Sequence, residues 1–239
     1  MPRPSIALVA LLALPAALAL AAKSKPCKPD DYAGCKTACE GTSGASCMFL
    51  AGMLMNGEHG APNDPAQAKA MMIRGCELRH GDSCAFAGMM AQNGKGGPID
   101  HAEMMTLWQK GCALRHAGAC QMAGVAELDG IGRPQNPVAA AALYQKACTY
   151  KEPGACVNLG MMHVAGQGIP ANPKKGMALL EKTCKAGLGR ACTEAAIAIV
   201  RGEVGPPNPA RAKKLLDRGC KAKKPDPNAC DLATKVGRP

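Results

Sequence analysis

The sequence predicts an all-α protein, an α/α superhelical solenoid with one disulfide for each helix pair, from three observations. Twelve of the fourteen cysteines form six pairs, Cys39/Cys47, Cys76/Cys84, Cys112/Cys120, Cys148/Cys156, Cys184/Cys192 and Cys220/Cys230. Their first members recur every 36 residues with one step of 37. A period of this length marks a repeat array in which each unit buries its apolar face on its neighbours. Helix punctuation recurs with the same period, and the stretches between carry apolar residues at helical spacing, as in Ala140, Leu143, Tyr144 and Ala147.

The elements follow in order. Residues 1–22 read as a secretory signal peptide, with Arg3 ahead of an apolar run from Ile6 to Leu20 and cleavage near Ala21/Ala22. The run is short for a membrane span, and no later stretch is long enough to cross a bilayer. Cys27 follows Ser24-Lys25-Pro26 rather than small residues, which argues against lipidation. Without Arg3 the formal net charge falls from +11 to +10 and all fourteen cysteines remain. An even cysteine count on an exported chain points to disulfides in an oxidising compartment, periplasmic or secreted.

Residues 23–46 form an N-terminal capping segment, 47–229 five repeats and 230–239 a C-terminal capping helix. Each unit opens with a helix-like stretch from the second cysteine of a pair. Ten residues on stand Gly57, Gly94, Gly130, Gly166 and Gly202, placed for left-handed C-terminal caps. A loop follows, with a second glycine at Gly96, Gly132 or Gly168. Asn136-Pro137, Asn172-Pro173, Asn208-Pro209, Asp64-Pro65 and Asp100 then signal helix starts. The second helix ends with a cation two residues before a cysteine, at Arg74, Lys110, Lys146, Lys182 and Arg218. A cation there faces the negative end of the helix dipole. With one Trp, three Tyr and two Phe in the chain, alanine, glycine and methionine must fill the core.

All but the last pair have the spacing C-x7-C; Cys220/Cys230 has two residues more. On one straight helix such cysteines would stand about 12 Å apart, beyond the roughly 7 Å a disulfide spans. Bridging therefore needs a chain reversal, and proline and glycine in these stretches mark a turn. Each bridge would staple one unit's second helix to the next unit's first, worth roughly 2–3 kcal/mol in the chain-entropy model. Zinc prefers cysteines two to four apart with a second such pair nearby; Cys35/Cys39 alone comes that close, and no C-x-x-C exists. Cys27/Cys35 shares the C-x7-C spacing, so a seventh bridge is expected there, with exchange among Cys27, Cys35 and Cys39 left open.

Asn158-Leu159-Gly160, Gly166-Gln167-Gly168, Asn172 and Tyr144-Gln145-Lys146-Ala147-Cys148 resemble Sel1-like repeats, relatives of the tetratricopeptide repeats. The added cysteine pair in each repeat is similar to the Helicobacter cysteine-rich proteins, as is the ending from Gly219-Cys220-Lys221 to Ala229-Cys230-Asp231-Leu232. The resemblance covers residues 39–236. Where that pattern has an aromatic residue three positions after the helix glycine, this chain has Ala91, Glu127, His163 and Ile199; Ala51 and Ala196 replace the glycine itself. The resemblance implies a protein-interaction scaffold. For the cysteine-rich branch it also implies β-lactam binding with weak β-lactamase activity.

Hydrolysis finds little support in the residues. No serine has lysine three positions on, and Lys182-Thr183 leads to Cys184 rather than glycine. The five histidines are scattered with no H-x-H pair. No catalytic residue, metal or cofactor is therefore expected. Two features favour binding. Met53, Met55, Met89, Met90, Met122, Met161 and Met162 cluster on the first helices, which line the inner side of a solenoid. Met90, with Glu127 and His163 at the former aromatic position, is the candidate inner-surface set. Charge is also uneven: residues 182–239 hold thirteen Lys/Arg against five Asp/Glu. Lys213, Lys214 and Lys221 in this basic end would dock an acidic partner. The expected partner is a protein, a peptide, or a peptidoglycan-type or other anionic envelope polymer, bound by a monomer. The scarcity of aromatics argues against nucleic acid.

Overall fold

The computed structural model describes residues 25–236. The signal-peptide expectation lies outside them. The described residues form twelve α-helices and no strand, paired in chain order. α1 (Tyr32–Glu40) leads into the repeats. These are α2 (Gly44–Asn56) with α3 (Pro65–Glu77), α4 (Gly81–Asn93) with α5 (His101–Ala113), and α6 (Ala117–Asp129) with α7 (Pro137–Thr149). They continue with α8 (Pro153–Ala165) and α9 (Pro173–Lys185), then α10 (Gly189–Val200) and α11 (Pro209–Cys220), and α12 (Pro227–Lys235) closes the row. Each helix packs on its sequence neighbours, and first helices also meet the next first helix, as α2 meets α4, α4 meets α6, α8 meets α10 and α10 meets α12. Every first helix opens three residues ahead of its cysteine, at Gly44, Gly81 and onwards.

Capping side chains fix the helix starts. Asp64, Asp100, Asn136, Asn172 and Asn208 each accept the amide N–H three residues on, ahead of the second helices. The first helices end on left-handed Gly57, Gly94, Gly130 and Gly166, with φ of 67–71°. The last repeat departs from this: α10 stops at Val200 with Arg201 in right-handed geometry, and Gly202 takes the left-handed turn beyond it.

The other turn, from second helix to next first helix, is only three residues long in the first four repeats and six residues long, 221–226, in the last. Glycine occupies its left-handed position once, at Gly187; the others are Arg79, Arg115 and Lys151, with φ of 63–68°. The sequence reading looked to glycine and proline for this reversal, whereas Pro153 is the first residue of α8. The reversal is imposed by hydrogen bonds such as Arg79 N–H to Cys76 O at 3.0 Å and His80 N–H to Gly75 O at 3.0 Å. These outweigh the roughly 1–2 kcal/mol that a left-handed non-glycine residue costs.

Seven disulfides form, six of them cross-linking adjacent helices and one tying the segment before α1 to that helix, and no described cysteine is free. Cys27 joins Cys35, and Cys39 joins Cys47. The remaining pairs are Cys76–Cys84, Cys112–Cys120, Cys148–Cys156, Cys184–Cys192 and Cys220–Cys230. The bridged Cα atoms of the repeats lie 4.5–4.8 Å apart.

The core runs the length of the array as successive small clusters. Its recurring unit is a large side chain on the second helix seated against a small residue on the first. A Cβ added at Gly124 would lie 2.7 Å from the Tyr144 ring, and one at Gly88 would overlap Trp108. Trp108 then reaches the carbonyl of Ala85 with its indole N–H at 3.2 Å. Ala196 shares a cluster with the smaller Leu216, and Ala51 with Met72, so alanine suffices there.

Candidate binding surfaces

The first-helix face carries three concavities. Between α2 and α4 lies a notch of about 250 Å³ formed by Ala51, Gly52, Met55, Phe86, Met89 and Asn93, among others. Phe86 is 48% exposed on its rim. Between α10 and α12 an equivalent notch of about 260 Å³ is lined by Ala196, Ile197, Val200, Leu216, Leu232 and Val236, with Arg201. Beside it on the same helices is a polar hollow of about 440 Å³ containing Arg190, Thr193, Glu194, Asp226 and Asp231. The face is thus apolar at its N-terminal end and mixed at its C-terminal end.

A polar chain leads into the hollow. Tyr144 is buried, which pushes its phenol up to about 12, while a hydrogen bond with Asn158 works in the opposite direction. Asn158 in turn accepts from Arg190 at 3.2 Å, and Arg190 approaches Glu194 at 3.7 Å. Thr193 donates to Asp226 at 2.6 Å. These contacts tie three successive repeats together, from the buried Tyr144 outward to the exposed Arg190.

Three residues that the sequence assigns to this face lie inside. Met90 is 7% exposed, and Met53 and Met162 are also core; Met55, Met89, Met122 and Met161 are half-buried. Glu127 is 4% exposed and its carboxylate holds Arg133 at 2.7 Å. His163 is 8% exposed, with Nδ1 buried and unpartnered. Burial, and then the charge of Lys175, hold its pKa below the usual histidine value. The backbone explains the inward position. The carbonyls of Leu54, Ala91, Glu127 and His163 each accept the N–H of the residue that caps the next helix, at 2.7–3.0 Å. That bond turns the residue into the interface between paired helices.

Lys213, Lys214 and Lys221 are exposed. Lys213 is engaged by Asp217 at 3.1 Å. Lys221 lines an open trough of about 510 Å³ with Lys185, Arg218 and Lys223.

Sequence reasoning treated the histidines as scattered, yet the fold gathers two of them. His80 and His116, one repeat apart, cap α4 and α6 through Nδ1, and Asp82 lies between their Nε2 atoms at 3.6 and 3.0 Å. Ser83 Oγ is 2.9 Å from His80 Nδ1. Serine, histidine and carboxylate thus meet, but Ser83 is fully buried and also reaches the carbonyl of Gly44 at 3.4 Å. A hydroxyl sealed under the turn offers no approach to a substrate. The His116 Nδ1 that accepts the Ala119 amide at 2.9 Å requires its proton on Nε2, so that nitrogen donates to Asp82 and has no lone pair for a metal. Among the described residues no group of three or more His, Cys, Asp or Glu is placed to hold a metal ion. The arrangement is a cap and an inter-repeat tie. The shared period, 80 to 116, was its only signal in the sequence.

The Sel1 repeat family matches at residues 44–80, 81–116, 117–149, 153–188 and 190–223. The chain belongs to the Sel1 repeat family. Its fold is similar to the crystal structure of a Sel1 repeat protein from Oxalobacter formigenes, with a TM-score of 0.72 at 16% identity, covering 84% of this chain and 87% of that one. It is also similar to c5321, described as a protective antigen of uropathogenic Escherichia coli with an SLR fold, with a TM-score of 0.71 at 18% identity. That alignment covers 80% of this chain and 40% of the antigen. Helicobacter pylori cysteine-rich protein B aligns at 26% identity over 54% of this chain and 92% of that one, with a TM-score of 0.45. No curated protein matches significantly. Sel1 repeat proteins mediate protein interactions, and among the described residues no helix is long and apolar enough to cross a membrane.

Proposed function

We propose that this Sel1 repeat protein is an exported, disulfide-stapled scaffold that binds a protein or peptide on its first-helix face. The observation that carries the reading is the apolar notch between α2 and α4. Phe86 is half-exposed there beside half-buried Met55 and Met89. A large ring left in water beside flexible methionines is the composition of an adaptable hot spot. Asn56 and Asn93 at the notch supply amides able to bond a peptide backbone. Seven disulfides support an oxidising address.

The test is a photo-reactive residue in place of Phe86 in the protein made by its own cell. It should cross-link a discrete protein that the same residue in place of Val138, exposed on a second helix, does not capture. Absence of any such adduct, together with saturable turnover of a chromogenic cephalosporin, would replace the scaffold with the β-lactam-hydrolysing alternative. Sequencing the N-terminus of the released protein tests export, with a start near Lys23 expected.

A further inference from the structure

We propose that the disulfide turns together form a cationic edge that seats a linear anionic polysaccharide. This goes beyond peptide binding and uses a different surface. Each second helix ends with the exposed cation two residues before its cysteine. Each turn then adds at least one more exposed cation: Arg79, Arg115 and Lys151 at the left-handed positions, Lys185 in the fourth turn, and Lys221 and Lys223 in the fifth. A turn bridged by a disulfide recurs once per repeat, so these charges stand in a row along one edge.

The row is continuous because its members reach across the gaps. Arg74 donates to the carbonyls of Glu40 and Gly41 in the preceding turn, at 3.2 and 3.4 Å. The Arg115 guanidinium lies 5.2 Å from the centre of the Tyr150 ring in the following turn. Between the fourth and fifth turns the edge hollows into the trough of about 510 Å³, where Lys185, Arg218, Lys221 and Lys223 converge over Gly187. That volume falls within the range of ligand sites, roughly 300–1,000 Å³.

These cations are left unpaired. Among the described residues none of them forms an ion pair, whereas Lys69, Arg133, Arg201, Arg211, Lys213 and Lys235 all do. The carboxylates nearest the edge are occupied. Asp82 lies between two histidines, Glu152 and Asp226 cap helices, and Asp217 in the trough holds Lys213. Glu40, Glu77 and Asp82 dilute the edge at its N-terminal end, while further on Lys146, Lys151, Lys182, Lys185, Arg218, Lys221, Lys223 and Lys224 outnumber Glu152, Asp217 and Asp226, so its field strengthens toward the C-terminus.

The edge selects among polyanions by what it lacks. Its ring, Tyr150, is already covered by Arg115, so successive bases find no stacking platform. The large exposed apolar residues, Phe86, Ile99, Val138 and Val200, all lie off these turns, so nothing there would enter a bilayer. The cations are donors only, while a peptide backbone also needs acceptors. An acceptor-rich linear polyanion fits, and engaging several turns multiplies affinity beyond that of a single anion.

The experiment measures binding of the mature oxidised protein to size-defined heparin oligosaccharides by calorimetry at two salt concentrations. Wild type should bind, with affinity falling steeply as salt rises and rising with oligosaccharide length. Reversing Lys185, Lys221 and Lys223 to Glu should weaken binding at least tenfold. Reversing Lys95, Lys174 and Lys175, which are exposed elsewhere, should weaken it less than threefold at the same net charge. Equal losses in the two triple variants, or no binding by wild type, would overturn the proposal. So would poly-L-glutamate or single-stranded DNA of matched charge binding as tightly as heparin. Phe86 is untouched in all variants, so failure here leaves the peptide-binding reading standing.

Discussion

Every repeat reverses direction twice, and the two edges make the reversal by different chemistry. At the loop edge a first helix stops on a left-handed glycine, a loop follows, and an Asn or Asp caps the next helix. Nothing covalent links the two helices there. At the turn edge only three residues intervene in four repeats of five, a disulfide joins the helix ends, and the left-handed residue is arginine or lysine in three of them. Glycine relieves strain where hydrogen bonds alone hold the backbone. At the turn edge the hydrogen bonds that impose the reversal act together with a cross-link, a strained side chain is tolerated in three turns, and that side chain is free to carry charge. The structural economy of one edge therefore leaves chemistry available on it.

The largest expected effect breaks the turn edge itself. Replacing Cys112 and Cys120 with alanine together should lower stability by about 2–3 kcal/mol, read as a reduced urea midpoint. Restoring full stability on oxidation of the remaining twelve cysteines would show the staple to be dispensable. Next, at the loop edge, Gly166→Ala forces a Cβ into a φ of 71°. It should cost about 1–2 kcal/mol in the same assay.

Acid should weaken the loop edge next. His163 is buried there, and its carbonyl holds the cap of α9. Its folded pKa lies below the ordinary value of about 6.5. The unfolded chain therefore takes up a proton first as pH falls. Stability should be fully present above about pH 6.5 and decline as pH drops below it toward the folded value. His163→Leu should flatten that decline, and a slope unchanged by the substitution would assign it to other groups. The smallest effect sharpens the comparison by its sign. Arg79→Gly removes left-handed strain but frees the unfolded chain, so stability should change by less than about 1 kcal/mol. A loss as large as that of Gly166→Ala would mean the arginine side chain, not the cross-link, holds the turn.

Much of this was legible in the cysteines and caps. Asn136, Asn172 and Asn208 cap where their Asn-Pro signatures placed them, because capping depends on residues three apart. Met90, Glu127 and His163 were assigned to the face and lie inside. A first helix meets its own partner, the second helix before it and, in most repeats, the next first helix, so its apolar residues wrap most of its surface and periodicity gives no outward stripe. Phe86 escaped notice for the same reason: its exposure depends on what the neighbouring α2 presents, and α2 presents Ala51 and Gly52. His80, Asp82 and His116 needed the superposition of two repeats to meet.

The sequence by itself determined the repeat length, the helix ends and the reversal within each cysteine pair. All of these are set by contacts spanning about ten residues or fewer. The tertiary structure alone decided which side of each helix is buried, that the position seven residues after the second cysteine faces inward, and that the turn cations join into one edge. Those outcomes depend on stacking against residues about 36 positions away, a distance over which the chain has no local preference to express.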